Sequence, residues 1–305
     1  MMRVACLIAF LSAAVAGFAQ RIPHSEKLSA KLKKIVVESG LDSAYEVGEG
    51  ERERISLAVI RCGRRPRIGG VNMDNFIYPA SMYKMYVAME VLKQVSLGKY
   101  PLNTSYIIPA HNAVDKSREI TIDPRPLLMP GDTVTINYLL DLMITRSDNT
   151  AANCLIDIAD RKNINATMHE NGWRGSEVTR KFLKRTLEDP GYDTIRGTAT
   201  NARHAAAFLY KIATNQMVNP WVSLQLKALL ARQLDKSKFA AGLPADVMYS
   251  HKTGWWSFYT HDAGIVEDGP LIYVVAIFTP IRAESMSGRF SSIAQKIHSL
   301  MKRNF

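Results

Sequence analysis

The sequence predicts an α+β fold, in which an antiparallel sheet is assembled from the two ends of the chain, flanked by helices, with a large helical insertion between them. Strand-like apolar segments occur near the N-terminus and again near the C-terminus, and the residues between them show mainly helical periodicity. A composition that is 47% hydrophobic over 305 residues can form a substantial core. The predicted division is an α/β part, residues 20–78 and 237–305, and a helical part, residues 79–236.

The first 19 residues have the features of a secretory signal peptide. Arg3 precedes an apolar run from Val4 to Phe18, and the small residues of Gly17-Phe18-Ala19 end it with a cleavage signal. The run is short for a transmembrane helix, although an anchor left in place is the alternative. We therefore expect a periplasmic or secreted protein that has no stable membrane span after signal cleavage.

The remaining elements follow in order from periodicity and turn residues. The chain begins with an amphipathic helix and two strands joined by an Arg- and Gly-rich turn, and it ends with strands and an amphipathic helix. The expected helices cover 24–40, 81–97, 135–143, 150–160, 201–214, 220–234 and 291–303, and the expected strands cover 55–62, the residues near 71, 247–256, 261–266 and 271–279.

Charge and cysteine content restrict the possible partners. The net charge is +11, and much of it lies in basic runs such as 61–67 and 180–185. Phe182 is the single aromatic residue in these two runs. We therefore interpret the runs as solvated surface charge and expect no nucleic-acid partner. Cys62 and Cys154 remain after signal cleavage, either bridged or free. The scattered histidines and cysteines have no metal-ligand spacing, and we expect no metal and no cofactor.

Ser81 and Lys84 form the first chemical motif. Pro79 precedes a predicted helix, so Ser81 would lie in its first turn, where free backbone N–H groups favour negative charge on an oxygen. An amine one turn later can activate a hydroxyl if its surroundings lower its pKa. The spacing alone is weak, because it recurs at Ser96–Lys99 and Ser299–Lys302.

Two further motifs follow Ser81 in order. Ser147-Asp148-Asn149 and Lys252-Thr253-Gly254 each occur once, although each also has an ordinary interpretation, as a helix N-cap and as a strand end. With these three motifs the chain resembles the class A β-lactamases and penicillin-binding proteins, which are active-site serine enzymes. The resemblance covers roughly residues 25–303 and implies the fold of that superfamily.

The resemblance assigns the acyl-transfer steps to three side chains. Ser81 would be acylated by the substrate carbonyl. Lys84 would act as the base that takes the proton of Ser81, or would relay that proton to the base. Ser147 would pass a proton to the departing nitrogen.

The resemblance assigns substrate binding to the residues around the other two motifs. Asn149 would hydrogen-bond the acyl side chain, and Lys252 with Thr253 would hold the substrate carboxylate. The backbone N–H groups of Ser81 and Trp255 would form the oxyanion hole, with Gly254 allowing the substrate to approach the strand closely.

One family feature is absent. Class A β-lactamases carry a Glu-x-x-Leu-Asn segment between the second and third motifs, whose Glu activates the water that hydrolyses the acyl-enzyme, and no such segment occurs here. Glu188, on the loop before Thr198, is the candidate substitute. Otherwise Glu188 and Asp189 are surface charges and deacylation is slow.

The sequence therefore predicts a secreted serine hydrolase of class A β-lactamase type, acting on β-lactam amides through an acyl-enzyme on Ser81. One alternative is a D-alanyl peptide hydrolase or penicillin-binding protein that acts on cell-wall stem peptides. Another is a sensor domain that traps a β-lactam without turnover. In each case we expect a monomer with a small-molecule substrate.

Overall fold

The structure of the chain is a computed structural model that describes residues 22–48, 50–118, 120–182, 197–286 and 288–303. The predicted signal peptide and Glu188 lie outside the described residues. Within them, no helix is both long and apolar enough to cross a membrane. Cys62 and Cys154 are free thiols, which answers the question of a bridge between them.

The helices and strands are numbered in chain order. The helices are α1 (Glu26–Glu38), α2 (Lys84–Ser96), α3 (Ile136–Thr145), α4 (Asn149–Ala159), α5 (Arg161–Glu170), α6 (Ala202–Ala213), α7 (Pro220–Ala231), α8 (Ala283–Met286) and α9 (Arg289–Lys302). The strands are β1 (Ala44–Glu46), β2 (Arg52–Arg54), β3 (Ser56–Arg61), β4 (Arg67–Val71), β5 (Ser105–Ile107), β6 (Thr133–Thr135), β7 (Met248–Trp256), β8 (Tyr259–Asp268) and β9 (Leu271–Thr279).

The main sheet joins the two ends of the chain. Its five strands run in the order β4-β3-β9-β8-β7, and every neighbouring pair is antiparallel. Strands β3 and β4 come from the N-terminal segment and the other three from the C-terminal segment, while α2 to α7 lie between them in the chain. The predicted α+β fold class is confirmed. The predicted limits of the two parts stay a prediction.

Helices cover both faces of the sheet, as the apolar composition of β3 requires. Leu57 and Val59 point to one face, where they join the core formed with α1 and α9. Ala58 and Ile60 point to the other face and join the core formed with the helical part. Because β3 is buried on both sides, its sequence is a continuous apolar run rather than an alternating one.

Some elements were not predicted. The sequence of α5 is largely polar, and only Ile164, Thr167 and Met168 are buried, so its helical periodicity is weak. The strand pairs β1–β2 and β5–β6 have three residues per strand, too short to show alternation. These short elements depend on tertiary contacts for their stability.

Candidate active site

Ser81 lies on a short 3₁₀ turn, Ala80–Tyr83, that leads into α2, rather than in the first turn of α2 itself. Lys84 is the first residue of α2 and is fully buried. Ala80 has a φ of +46°, a left-handed conformation that is unusual for a residue with a side chain. The serine is therefore presented on a strained turn at the start of a buried helix.

Strand β7 passes directly beside this turn at Gly254. A Cβ atom on Gly254 would lie 3.2 Å from the backbone nitrogen of Ser81 and 3.1 Å from the carbonyl oxygen of Pro79. Any larger residue would push the strand and the turn apart. Gly254 thus lets β7 lie close against the turn that carries Ser81. The oxyanion hole from the backbone N–H groups of Ser81 and Trp255, the residue after Gly254, stays a prediction.

The second motif, Ser147-Asp148-Asn149, lies between α3 and α4, and its last residue is the first residue of α4. Asp148 caps α4 by accepting a hydrogen bond from the Ala151 backbone N–H at 2.7 Å. Asp115 accepts bonds from the backbone N–H groups of Asn149 and Thr150, both at 2.8 Å. The N-cap interpretation is therefore correct for Asp148, while Ser147, with a φ of +64°, is turned outside the helix.

The amine of Lys84 is held by the second motif. It donates to the backbone oxygen of Ser147 at 2.5 Å and to Asn149 Oδ1 at 2.8 Å, and it lies 3.2 Å from Ser147 Oγ. Asn149 cannot readily turn its amide over, because its Nδ2 donates to Asp115 at 2.7 Å. Two acceptors that cannot donate are thus fixed around Lys84.

Lys252 approaches the same hydroxyl from β7. It is fully buried and donates to Ser147 Oγ at 3.1 Å and to the backbone oxygen of Thr253 at 2.7 Å. The hydroxyl of Ser147 therefore lies between two lysines. Since its oxygen accepts from Lys252, its own proton is available to the lone pair of a neutral Lys84. Through the hydroxyl of Ser147, a proton can move between the Lys84 side and the Lys252 side of the site.

A cleft of about 790 Å³ opens beside Ser81 between the helical part and the edge strand β7. Polar groups on its wall include Ser81, Asn149 and Thr198. The side chain of Trp255 is 47% exposed, although Trp255 belongs to a strand. Aromatic rings supply much of the remaining wall, from Tyr78, Tyr83, Phe182, Trp255 and Trp256. The cleft has room for a small molecule with an apolar or aromatic substituent.

Phe182 is a site residue that the sequence did not reveal. Its backbone N–H donates to Asn153 Oδ1 at 2.8 Å, and Asn153 Nδ2 donates back to its carbonyl oxygen at 3.2 Å. The ring centroid lies 4.2 Å from Lys84 Nζ, and the ring stacks on Tyr83 at 4.6 Å. Only its tertiary placement identifies it, because in the sequence it belongs to a basic run.

The described structure thus brings together Ser81, Lys84, Ser147, Asn149, Lys252, Thr253, Gly254 and Trp255 at one cleft. The catalytic roles assigned to them stay predictions. Within the described residues, no group of three or more His, Cys, Asp or Glu side chains could hold a metal ion.

Comparison with known proteins relates the chain to β-lactamases. BlaB of Streptomyces cacaoi, a β-lactamase regulatory protein, is 23% identical over 92% of this chain and 98% of its own length. The extended-spectrum β-lactamase PER-1 of Pseudomonas aeruginosa is 27% identical over 70% of this chain and 71% of its own.

A solved structure has the same fold. It is the acyl-enzyme complex of a PBP-A mutant with penicillin G, which superimposes with a TM-score of 0.74 at 18% identity, covering 92% of this chain and 98% of that one. Residues 46–300 match the model of the family described as the beta-lactamase enzyme family. The chain therefore belongs to the β-lactamase enzyme family.

Proposed function

We propose that the protein is a secreted serine hydrolase of class A β-lactamase type, which opens β-lactam amides on Ser81 and releases the product slowly. The observation that carries the proposal is the hydroxyl of Ser147, which lies 3.2 Å from Lys84 Nζ and 3.1 Å from Lys252 Nζ. A hydroxyl between two buried amines, one of them three residues after the candidate nucleophile, suits acyl transfer, which moves a proton from the nucleophile to the leaving nitrogen.

Acylation begins when Ser81 Oγ attacks the β-lactam carbonyl and its proton passes to a neutral Lys84. The developing oxyanion accepts hydrogen bonds from the backbone N–H groups of Ser81 and Trp255. The C–N bond of the lactam then breaks, and Ser147 gives its proton to the nitrogen while taking one from Lys84. Lys84 returns to its neutral form, and the product of the step is an ester on Ser81.

The contacts of Lys84 support this role for a neutral amine. A neutral amine has two N–H bonds, and the two acceptors that cannot donate, the Ser147 carbonyl and Asn149 Oδ1, accommodate both. The lone pair of a neutral Lys84 can accept the proton of the Ser147 hydroxyl, whose oxygen lies 3.2 Å from Nζ. Lys252 has the different task of attracting the substrate carboxylate as a cation.

Slow release is supported by the groups around the ester. Hydrolysis needs a base that takes a proton from water, and the ring of Phe182, which faces Lys84, cannot do this. Among the described residues that line the cleft, Asp115 is the one with a carboxylate. This carboxylate already accepts three hydrogen bonds from Asn149 and Thr150 at the start of α4. Glu188 is the candidate base outside the described residues.

Intact-mass measurement with benzylpenicillin tests the proposal. We expect a one-to-one adduct on the parent protein and none on Ser81→Ala. Ser96→Ala is the matched control, because Ser96 also has a lysine at i+3 but lies at the exposed end of α2. An adduct that persists in Ser81→Ala would refute the assignment of the nucleophile.

A second candidate function is a receptor that stops at the acyl-enzyme. The similarity to BlaB, a regulatory protein, and the position of Phe182 both favour it. Turnover distinguishes the two functions, because a hydrolase consumes many equivalents of nitrocefin and a receptor consumes one. A D-alanyl peptide substrate, the remaining alternative, is tested with a D-alanyl-D-alanine peptide in the same assay.

Secretion and the monomeric state are proposals from the sequence. N-terminal sequencing of the exported protein should find Gln20 as the first residue, since the predicted cleavage follows Ala19.

A further inference from the structure

His261 connects the sheet to the turn that carries Ser81. It is fully buried on β8, where it pairs with Gly254 of β7. Its Nε2 lies 2.8 Å from the carbonyl oxygen of Tyr78, three residues before Ser81. Its Nδ1 lies 3.2 Å from the backbone nitrogen of Thr279 on β9. The imidazole therefore bridges the last residue of β9 and the entrance to the turn.

The two contacts determine which nitrogen carries the proton. The carbonyl oxygen of Tyr78 can only accept, so Nε2 must donate to it. The backbone N–H of Thr279 can only donate, so Nδ1 must accept from it. Both contacts are satisfied together only by a neutral imidazole protonated on Nε2, whereas an imidazolium would set a second N–H against that of Thr279.

The turn needs an external restraint. Ala80 has a left-handed backbone, which a residue with a side chain adopts only where its surroundings impose it. The turn's own hydrogen bond, from Met82 N–H to Pro79 O at 3.0 Å, does not include Tyr78. Strand β7 lies so close that a Cβ on Gly254 would be 3.2 Å from Ser81 N, so a small shift of the turn would change the spacing between the two backbones.

We infer that His261 is a positioning residue for the oxyanion hole: its Nε2–H, by holding the Tyr78 carbonyl, keeps the backbone N–H of Ser81 in place beside β7. The inference rests on the proposed function, in which that N–H stabilises the oxyanion. His261 acts through the turn and does not itself touch the substrate.

The test compares acylation rates of three variants, measured by intact mass against time with benzylpenicillin. His261→Phe keeps an aromatic ring but loses both hydrogen bonds, and we expect acylation to slow by roughly 10- to 100-fold, the scale of a misplaced reacting group. His261→Gln can still donate to Tyr78 and accept from Thr279, and should retain most of the rate. His298→Phe is the control, since His298 is a buried histidine on α9 bonded to Tyr273 rather than to the turn.

The inference is wrong if folded His261→Phe acylates at the parental rate, or if His298→Phe slows acylation equally. A second measurement does not depend on activity or on a variant. The ¹⁵N chemical shifts of His261 in the parent protein should show a neutral ring protonated on Nε2, and a ring protonated on Nδ1 would also overturn the inference. If the parent forms no adduct but shows this tautomer, the proposed function fails while the hydrogen-bonded bridge stands.

Discussion

At the scale of single residues, the proposed function gives the two buried lysines of the cleft opposite tasks. Lys84 must be neutral to take a proton from Ser81, whereas Lys252 must stay charged to bind a carboxylate. We expect Lys84→Arg to lower the acylation rate by roughly 10²–10⁴-fold, because a guanidinium cannot give up its proton. Lys252→Arg should keep much of the activity.

The measurement is the second-order rate of adduct formation for both variants, with circular dichroism to confirm that each is folded. A guanidinium is larger than an ammonium, so some loss in Lys252→Arg is expected as well. Equal damage from the two substitutions would contradict the division of roles.

Phe182 and Glu188 offer two tests of the proposed slow deacylation. The backbone of Phe182 is held by Asn153, and its side chain faces Lys84, so Phe182→Glu places a carboxylate beside Lys84. We expect the acyl-enzyme of this variant to decay at least roughly tenfold faster, because a well-placed general base is worth about 10²–10⁴-fold. Phe182→Leu is the control, because it removes the ring without adding a base.

Glu188→Gln tests the alternative base. If Glu188 activates the water, this substitution should slow the decay of the adduct and leave its formation unchanged. Rapid turnover that neither Phe182→Glu nor Glu188→Gln alters would show that the water is activated elsewhere, with Lys84 the first candidate. The lifetime of the adduct after removal of free penicillin is the quantity to measure.

At the scale of elements, the position of the second motif depends on the ion pair that supports the start of α4. Arg146 donates to Asp148 Oδ2 from Nε at 3.2 Å and from Nη2 at 2.8 Å, and both side chains are almost fully buried. Arg146 also donates to the backbone oxygens of Arg125 and Pro126, each at 2.8 Å. It therefore joins the loop before β6 to the residue that caps α4.

Removing Arg146 should destabilise the protein strongly. Arg146→Met leaves Asp148 buried without its cation, a loss of about 3–5 kcal/mol in the free energy of unfolding. Urea denaturation measures it, and Arg146→Met combined with Asp148→Asn should recover part of the loss, because the second change removes the buried charge. A free energy of unfolding unchanged in Arg146→Met would contradict this account of α4.

At the scale of the whole molecule, buried neutral histidines make stability depend on pH. Burial lowers the pKa of His261 from 6.5 to about 4. Backbone hydrogen bonds with Tyr78 and Thr260 act in the opposite direction and raise the pKa, while the charge of Lys238 lowers it further. The phenol ring of Tyr259 also faces the imidazole, with the two ring centroids 6.0 Å apart. Between pH 6.5 and 4 the unfolded chain therefore binds more protons at this position than the folded chain does, and stability is lost as the pH falls through that window.

The contribution of His261 to this loss is at most about 3 kcal/mol. Chemical unfolding at pH 7 and pH 4.5 should show a smaller decrease for His261→Gln than for the parent protein. Burial also lowers the pKa of His204 and His251, so part of the decrease should remain in the variant. An identical decrease in both proteins would show that His261 does not titrate in this way.

The sequence predicted the sheet built from both ends of the chain, because β3 and β9 are apolar runs, one near each end. It predicted the motifs because each is a short segment whose residues are adjacent or one helical turn apart. It did not predict Phe182, Asp115 or His261 as parts of the site. Each of these reaches the site from another segment of the chain, through a hydrogen bond or ring contact that exists only in the folded state. The sequence did not predict the polar helix α5 for a related reason. This helix is stabilised by the packing of a few buried residues, which are too few to give a clear helical pattern.

The measurement that tests the central claim most directly is a rapid-mixing experiment with nitrocefin, followed by intact mass of the same sample. Fast acylation and slow deacylation predict a burst of about one equivalent per protein, a one-to-one adduct on Ser81 during the slow phase, and neither in Ser81→Ala. Steady turnover without a burst or an adduct, or no reaction with the folded protein at all, would contradict the account.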